Sequence, residues 1–343
     1  MIREIHPVGQ GAFCTETFNE AMYKYKVVAF DCGGRIAADK SLQYPGLQNY
    51  LQDKFVDILF VSHFHEDHIN GVKCLIVNNQ NIEIYIPKVS PQRLLLDYVY
   101  NLTKTNGHSN ANDFILDLVL PSLNSERDIN ELDGITVHIV KSDDIVYLLD
   151  SRERKIWEYN LYWQNSDEML DNGILADICS ILDISGEPRY DKKFFTDVAS
   201  IFTNVSKKQR IKNIFAKYYP EGHNAYSMLV YSHPSDLAHL FDCCEQNATC
   251  LYTGDSPATQ RLIDIVQTKR IDNIQVPHHG SQHNFSDKLY YMGMTAFISC
   301  GEKNKYGHPG KEALNFIIKK CDRTHLVSEI QQTSFCEIVR FIV

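Results

Sequence analysis

The chain has 343 residues, of which 44% are hydrophobic and 22% are charged, the proportions of a folded globular protein. These proportions exclude a disordered chain, a collagen-like repeat and a coiled coil, while the length leaves one large domain or two smaller ones open. Lys and Arg total 34 against 43 Asp and Glu, so the formal net charge of -9 argues against a broad basic surface for duplex DNA.

The first third of the chain alternates strands and helices. Short apolar runs bounded by turn residues predict strands at 26–31, 57–62 and 82–86, and longer amphipathic runs predict helices at 44–53 and 69–77. The last third alternates in the same way, with strands at 226–231, 248–253, 273–276 and 295–299, helices at 259–268 and 311–320, and strands around Leu326 and Phe341. Two halves of this kind predict a layered α/β fold with packed sheets and outer helices.

The middle of the chain is rich in helix-like segments. Helices are predicted at 94–102, 114–120, 169–182, 194–202 and 209–218, with strands at 135–140 and 157–163. We interpret residues 90–220 as an insertion in a single domain that spans 1–343, and we expect it to cap the functional site. Its basic run at 207–212 is typical of a solvated helix face. The alternating aromatic residues of 157–163 indicate a strand in the protein core rather than a surface on which bases stack.

The 10 cysteines include no C-x-x-C pair, and most of them lie in apolar runs. The N-terminus lacks the apolar segment of a secretory signal, and no run is long enough to span a membrane. We therefore expect free thiols rather than disulfides or structural zinc, a cytoplasmic location and no membrane partner.

The strongest chemical signal is the segment 62–68, Ser-His-Phe-His-Glu-Asp-His, which directly follows a buried strand. Residues two apart on extended backbone point the same way, so His63 and His65 can face one metal. Asp67 and His68 follow after a turn and can face a second metal nearby. Imidazole and carboxylate ligands suit zinc, and also iron or manganese, which makes a solvated His-rich loop the weaker interpretation.

Three later places offer further ligands next to short apolar strands. They are His223 with Asn224, Asp255 after Gly254, and the pair His278 and His279 after Pro277. Taken alone, a Gly-Asp after a strand is usually a turn. Together with the first motif, these residues favour a metal site with two ions.

The sequence resembles the metallo-β-lactamase superfamily, and within it the metallo-hydrolase domain of ComEC-type competence proteins. The matching segments, in chain order, are 8–11 (VGQG), 31–34 (DCGG), 57–63 (DILFVSH), 253–255 (TGD), 277–281 (PHHGS) and 306–309 (YGHP). The resemblance covers 1–87 and 221–343. It implies a four-layer αββα metallo-β-lactamase sandwich with a largely helical insertion, and two divalent metals, with Zn preferred and Mn or Fe as alternatives.

The resemblance also implies a role for each motif residue. The implied ligands are His63 and His65 for the first metal, Asp67 and His68 for the second, Asp255 between the two, and either His278 or His279 for the second. The other member of that pair touches substrate, and His308 lines the opposite side of the site.

The chain departs from the competence-protein pattern at two positions. Ala12 stands where that pattern normally has Asp, which weakens the inference about substrate. The chain also has both His223, a third ligand in much of the superfamily, and an Asn224-x-x-Ser227 motif, which is found at that place in the competence group. Whether His223 binds metal is left open.

The expected activity is phosphodiester hydrolysis through a hydroxide that bridges the two metals. The expected catalytic residues are Asp67, His278, His279 and His308, and the expected substrate contacts are Ser281, Asn224 and His308. For Ser281, a helix N-cap is an equally good interpretation. The substrate is a small nucleotide or a single-stranded nucleic acid. The alternatives are hydrolysis of a lactone, thioester or phosphorylcholine ester, and a non-catalytic metal-binding interaction module; the oligomeric state is left open.

Overall fold

A computed structural model describes residues 1–18, 26–35, 46–79, 81–105, 109–125, 129–132, 134–163, 172–219, 226–235 and 248–339. Its strands are β1 Ile2–Ile5, β2 Cys14–Phe18, β3 Lys26–Phe30, β4 Ile58–Phe60, β5 Glu83–Pro87, β6 Ile129–Leu132, β7 Ile135–Val140, β8 Ile145–Leu149, β9 Lys155–Tyr162, β10 Leu229–Pro234, β11 Cys250–Tyr252, β12 Asn273–Gln275, β13 Thr295–Ser299, β14 Arg323–Val327 and β15 Phe335–Ile338.

The α-helices cover much of the remaining described chain. They are α1 Leu47–Leu51, α2 Glu66–Ile69, α3 Val72–Asn78, α4 Pro91–Lys104, α5 Asn110–Phe114, α6 Leu120–Asn124, α7 Asn172–Leu182, α8 Lys192–Ile201, α9 Val205–Tyr218, α10 Gln260–Thr268 and α11 Lys311–Lys320. A π-helical turn, Ile115–Val119, joins α5 to α6.

The strands form two sheets that pack face to face. The first has the order β15-β1-β2-β3-β4-β5-β7-β6 and the second the order β14-β13-β12-β11-β10-β9-β8. Apolar side chains from both inner faces form one core, in which the rings of Phe30 and Tyr252 stack with centroids 3.6 Å apart. Helices α3 to α9 cover the outer face of the first sheet, while α10 and α11 cover that of the second. This arrangement confirms the predicted αββα sandwich.

The range 90–220 contributes to both the sheets and the helical layer. Strands β6 and β7 extend the first sheet, and β8 and β9 extend the second. Trp157 and Tyr159 on β9 are fully buried between the sheets, which confirms that the aromatic alternation belongs to the core. The limits of an insertion, and its role as a cap, stay predictions.

Most predicted elements are present, with local differences at their ends. Helix α4 begins before the predicted 94 because the Ser90 hydroxyl accepts a hydrogen bond from the Arg93 amide and Pro91 fills the first turn. The helix predicted at 69–77 is interrupted at Gly71, where a β-carbon would lie 2.6 Å from a methyl group of Leu51. The strand predicted around Phe341 lies outside the described residues.

Among the helices that the structure describes, none combines the length and apolar character needed to cross a membrane. A cytoplasmic location stays a prediction.

Candidate metal centre

The candidate site lies where parallel strands of both sheets end. In the first sheet β3, β4, β5 and β7 run parallel, and in the second β11 to β14 run parallel. The 62–68 segment follows β4, Asp255 follows β11, and the His278–His279 pair follows β12. Because ligands of α/β sheets bind beyond the carboxyl ends of the strands, this edge is the expected place for a site.

Two groups of side chains at this edge have the spacing of metal ligands. One contains His63, His68 and Asp255, and the other contains Asp67, His68 and His279. Within each group, one ligand atom per residue lies within 4.8 Å of the others. Oδ1 of Asp255 lies 3.1 Å from Nε2 of His68 and 3.4 Å from Nε2 of His279, so this carboxylate lies between the two groups.

The backs of the histidine rings are held by the protein. Nδ1 of His68 lies 2.8 Å from Oδ2 of Asp31, and Nδ1 of His279 lies 2.8 Å from the carbonyl oxygen of Ser299. Nδ1 of His63 lies 2.9 Å from the Ser62 hydroxyl. These contacts fix the ring orientations and direct each Nε2 into the site, as outer hydrogen bonds do for metal-ligating histidines.

The donor set fits divalent metal ions. Nε2 of His63 and Nε2 of His279 are buried and have no hydrogen-bond partner among the described residues. A buried polar atom without a partner is costly unless an unrepresented group satisfies it. Nitrogen donors from histidine together with carboxylate oxygens are the ligands that zinc prefers.

The structure distinguishes the two adjacent histidines that the sequence leaves equivalent. His279 is 4% exposed and joins the second ligand group, whereas Nε2 of His278 lies 3.7 Å from Asp255 and its Nδ1 faces the Asn284 amide. Both residues have positive φ, 49° and 54°, which is unfavourable for residues other than glycine. Such strained backbone recurs at functional sites, where the surrounding structure maintains it.

His65 faces a carboxylate that the sequence analysis missed. Its Nε2 lies 3.6 Å from Oδ1 of Asp97, which is fully buried in α4. The other oxygen of Asp97 accepts a hydrogen bond from the Tyr226 hydroxyl at 2.5 Å, and Arg93 is buried one turn earlier. The available signal was this Arg–Asp pair in the otherwise apolar run 93–100, since buried charges are rarely placed without partners.

Asp31 is a second residue that supports the site. The sequence analysis named it in the 31–34 motif but assigned it no role. Its Oδ1 accepts the Ser62 amide at 2.7 Å, and its Oδ2 accepts the Ser62 hydroxyl at 2.8 Å. The same Oδ2 contacts His68. One carboxylate therefore anchors the start of the metal motif and orients one of its ligands.

The electrostatics hold His63 and Asp255 in the states that bind metal, whereas at His68 burial alone would lower the pKa but Asp255 and Asp31 outweigh it and hold that pKa well above its ordinary value. Burial, together with the neighbouring His68 and His65, holds the pKa of His63 well below its usual range. Burial alone would raise the pKa of Asp255, but His68, His279 and His278 outweigh it and hold that pKa well below its ordinary value.

Glycines allow the segments behind the site to pack closely. A β-carbon on Gly33 would lie 2.5 Å from the backbone of Asp67. Gly254 has a φ of 51°, and a β-carbon there would lie 2.3 Å from the Ser227 hydroxyl and 2.7 Å from that of Ser62. The backbone at these two positions therefore requires glycine.

The ligand groups open into a cavity of about 540 Å³. It is lined by Gln10, Arg35, His65, Glu66, Asp67, Tyr100, Asn101, Thr103, Lys104, Lys212, Phe215, Ala216, Tyr219, Asp255, His278, His279, Ser281, His283, Tyr306 and His308. Helices α4 and α9, both from the range 90–220, supply part of this lining. Lys212 in the basic run is one such residue, although Lys207 in the same run pairs with exposed Asp183.

The remaining predicted residues have clear positions. His308 lies in the cavity wall with its ring 5.2 Å from that of His278, and burial with His278 and His279 lowers its pKa to about 4. Ser281 lines the cavity and is not the predicted N-cap, since Ser286 is the N-cap of the next helical turn. His223 and Asn224 lie outside the described residues. The amide of Ala12 donates a hydrogen bond to the Asp67 carbonyl at 3.2 Å.

Comparisons with known proteins find similar solved structures but no match by sequence. No protein-family model and no curated protein matches the chain. The long form RNase Z from yeast shares 11% identity at a TM-score of 0.36, over 88% of this chain and only 36% of that one. The isothiocyanate hydrolase from Delia radicum gut bacteria shares 10% identity at a TM-score of 0.43, over 98% of this chain and 99% of that one. At such values, conclusions about activity rest on the residues of this chain.

Proposed function

We propose that the protein is a metal-dependent hydrolase that cleaves phosphodiester bonds in a small nucleotide or a single-stranded nucleic acid. One observation carries the proposal: Asp67, Asp255 and His279 of the ligand groups line a cavity that is also lined by three cations, Arg35, Lys104 and Lys212. In a chain with a net charge of -9, cations gathered beside a metal site favour an anionic substrate.

The residues that would hold the metals are those of the two ligand groups, with His65 beside them. Asp255 lies between the groups, and Asp67 with His279 completes the second. When bound, two divalent ions supply Lewis acidity toward phosphoryl oxygens and lower the pKa of water. The closer resemblance to ComEC-type proteins is part of this proposal.

The protein's own groups complete the chemistry. The Ser281 hydroxyl is 2% exposed and can donate a hydrogen bond to a phosphate oxygen. His278 and His308 both line the cavity, with ring centroids 5.2 Å apart, and a neutral imidazole of either can donate a hydrogen bond to the leaving oxygen. Hydrolysis of bis(p-nitrophenyl) phosphate needs only these elements, so it is a suitable first substrate.

The test compares protein reconstituted with Zn, Mn or Fe(II) before and after the substitutions His68→Ala and Asp255→Asn. We expect metal-dependent release of p-nitrophenolate, reduced about 100-fold or more in either variant, because each residue belongs to a ligand group and its loss weakens metal binding. His138→Asn is the matched control, since His138 stacks on Tyr85 away from the site. Absence of hydrolysis with every metal, or full activity in His68→Ala, contradicts the proposal.

The same reconstituted protein tests the alternatives. Faster hydrolysis of a lactone, thioester or phosphorylcholine ester than of the phosphodiester would assign the site to another ester. A stable metal content without any hydrolysis would indicate a binding module.

A further inference from the structure

Two aromatic surfaces face the cavity from different parts of the fold. We call the first, from α4 and α9, the helical wall: Tyr100, Phe215 and Tyr219. The rings of Tyr100 and Phe215 contact edge to face with centroids 5.2 Å apart. Tyr100 also lies 4.7 Å from the His65 ring, so the helical wall starts beside the metal ligands and runs outward.

The second surface, the loop wall, consists of Tyr306 and His308. Their rings are nearly parallel, with centroids 6.0 Å apart. Tyr306 is 44% exposed, so part of its ring is accessible to a ligand. Aromatic faces of this kind bind planar rings by stacking.

Cations lie between the two walls. Nζ of Lys104 lies 4.7 Å from the Tyr100 ring centre and 5.5 Å from that of Tyr306. The Arg35 guanidinium lies 5.9 Å from the Tyr306 ring and donates to its hydroxyl at 3.2 Å. Glu66 and Asp67 are the nearby acids: a Glu66 oxygen lies 4.0 Å from Arg35, and the Asp67 carboxylate interacts electrostatically with both Arg35 and Lys104. The mouth therefore combines ring faces with cations, as a ligand with both a ring and an anionic group requires.

Two buried polar atoms in the cavity lining also point to a ligand. Oγ of Ser281 and Oε1 of Gln10 are buried and have no hydrogen-bond partner among the described residues. The two residues are 2% and 5% exposed. A hydroxyl can donate to a phosphate oxygen, and an amide can bind the polar edge of a base.

The size of the cavity limits the ligand. A volume of about 540 Å³ is that of a site for a small molecule. It accommodates one or two nucleotides and leaves no room for a duplex.

We infer that the substrate is a nucleoside phosphodiester of one or two nucleotides, with its base against the helical wall and the loop wall and its phosphate near Ser281 and Lys104. This inference rests on the proposed function. In the reaction, the oxygen of water bonds to phosphorus, the bond to the leaving oxygen breaks, and the leaving oxygen takes a proton. The products are a nucleoside monophosphate and an alcohol, and nothing is oxidised or reduced.

The test uses two diesters with the same leaving group: thymidine 5′-(p-nitrophenyl phosphate) and ethyl p-nitrophenyl phosphate. We expect the metal-loaded protein to prefer the thymidine ester in kcat/KM. Tyr100→Leu and Tyr306→Leu should reduce that preference about tenfold each, mainly through KM, since one base–aromatic stack accounts for an effect of that order. Tyr218→Leu is the matched control, because the Tyr218 hydroxyl bonds Asp177 outside the cavity lining.

Two further measurements separate the inference from the proposed function. Calorimetric titration of the metal-loaded protein with thymidine 5′-monophosphate should show about tenfold weaker binding in Tyr306→Leu. Because Tyr306 is exposed, this substitution should not affect folding. A single-stranded 20-mer should compete poorly with the small diester. Equal kcat/KM values for the two diesters would overturn the inference that the site binds a nucleoside, while the proposed phosphodiesterase activity would still stand. Hydrolysis of neither overturns the proposed function, and the titration then decides whether the walls bind a nucleotide.

Discussion

The contact between the Asp31 carboxylate and the His68 ring predicts that the substitution Asp31→Asn lowers the affinity for metal. In Asp31→Asn, one oxygen remains and can still accept the Ser62 amide, which lies 2.7 Å from Oδ1. The other position becomes an amide donor, 2.8 Å from Nδ1 of His68. The imidazole must then accept at Nδ1 and carry its proton on Nε2, the atom that faces Asp255 at 3.1 Å. A protonated Nε2 cannot bind metal.

The magnitude follows from this change of tautomer. Loss of an outer partner of a metal-ligating histidine typically costs about 10- to 100-fold in metal affinity, or about 1.4–2.7 kcal/mol. The backbone should tolerate the change, because Asp31 has a φ of 54°, a region that Asn adopts readily. We therefore expect weaker metal binding with little change in the thermal stability of the metal-free protein.

The assay measures metal content per chain by mass spectrometry over a series of zinc concentrations buffered by a chelator. Asp57→Asn is the matched control, because the Asp57 carboxylate also accepts a backbone amide, that of Val27 at 2.8 Å, but away from the site. If Asp31→Asn retains zinc like the unchanged protein, the tautomer argument is refuted. If it loses zinc only together with its fold, the role of Asp31 is structural.

Three further predictions concern other parts of the structure. Gly254→Ala should destabilise the protein by about 2 kcal/mol in denaturant unfolding, because the new methyl group overlaps the Ser227 hydroxyl. Asp97→Asn should lower metal retention about tenfold in the same zinc series, because His65 loses its facing carboxylate. For buried His6, whose pKa is about 3, stability should fall with acid between pH 6.5 and 3, by about 2 kcal/mol at pH 5, and His6→Gln should remove this dependence.

Each of these predictions has its own control. Gly293→Ala also adds a methyl group at positive φ, but in open space, so equal losses in the two variants would exclude steric overlap as the cause at Gly254. Unchanged zinc retention in Asp97→Asn would show that Asp97 acts only in packing α4. For His6 the unfolded state binds the extra proton below pH 6.5, so stability must rise with pH there; a flat difference between the two proteins contradicts the argument.

The sequence predicted the site best where residues of metal-ligand type directly follow a segment with a clear strand pattern. The 62–68 segment follows a short buried strand, and the structure places four of its side chains at one sheet edge, beside Asp255 and His279. Element types were also well predicted, because β13 is a short, fully buried and largely apolar run and α11 has apolar residues at helical spacing.

Other features depended on long-range packing and could not be read from one sequence. Asp97 lies in a segment without any motif, and it meets His65 only because α4 packs behind the β4 loop. The placement of His279, and not His278, in a ligand group depends on its contact with the Ser299 carbonyl oxygen at the end of β13. The positions of β6 to β9 at the edges of two different sheets likewise depend on pairings that local periodicity does not encode.

The origin of the ligands in both sheets has a consequence for assembly of the protein. His63 follows a strand of the first sheet, whereas Asp255 and His279 follow strands of the second, roughly two hundred positions later in the chain. Neither sheet alone contains a complete ligand group as the structure describes them. Metal binding should therefore come late in folding, after the two sheets have packed against each other. Bound metal would then stabilise the packing between the sheets.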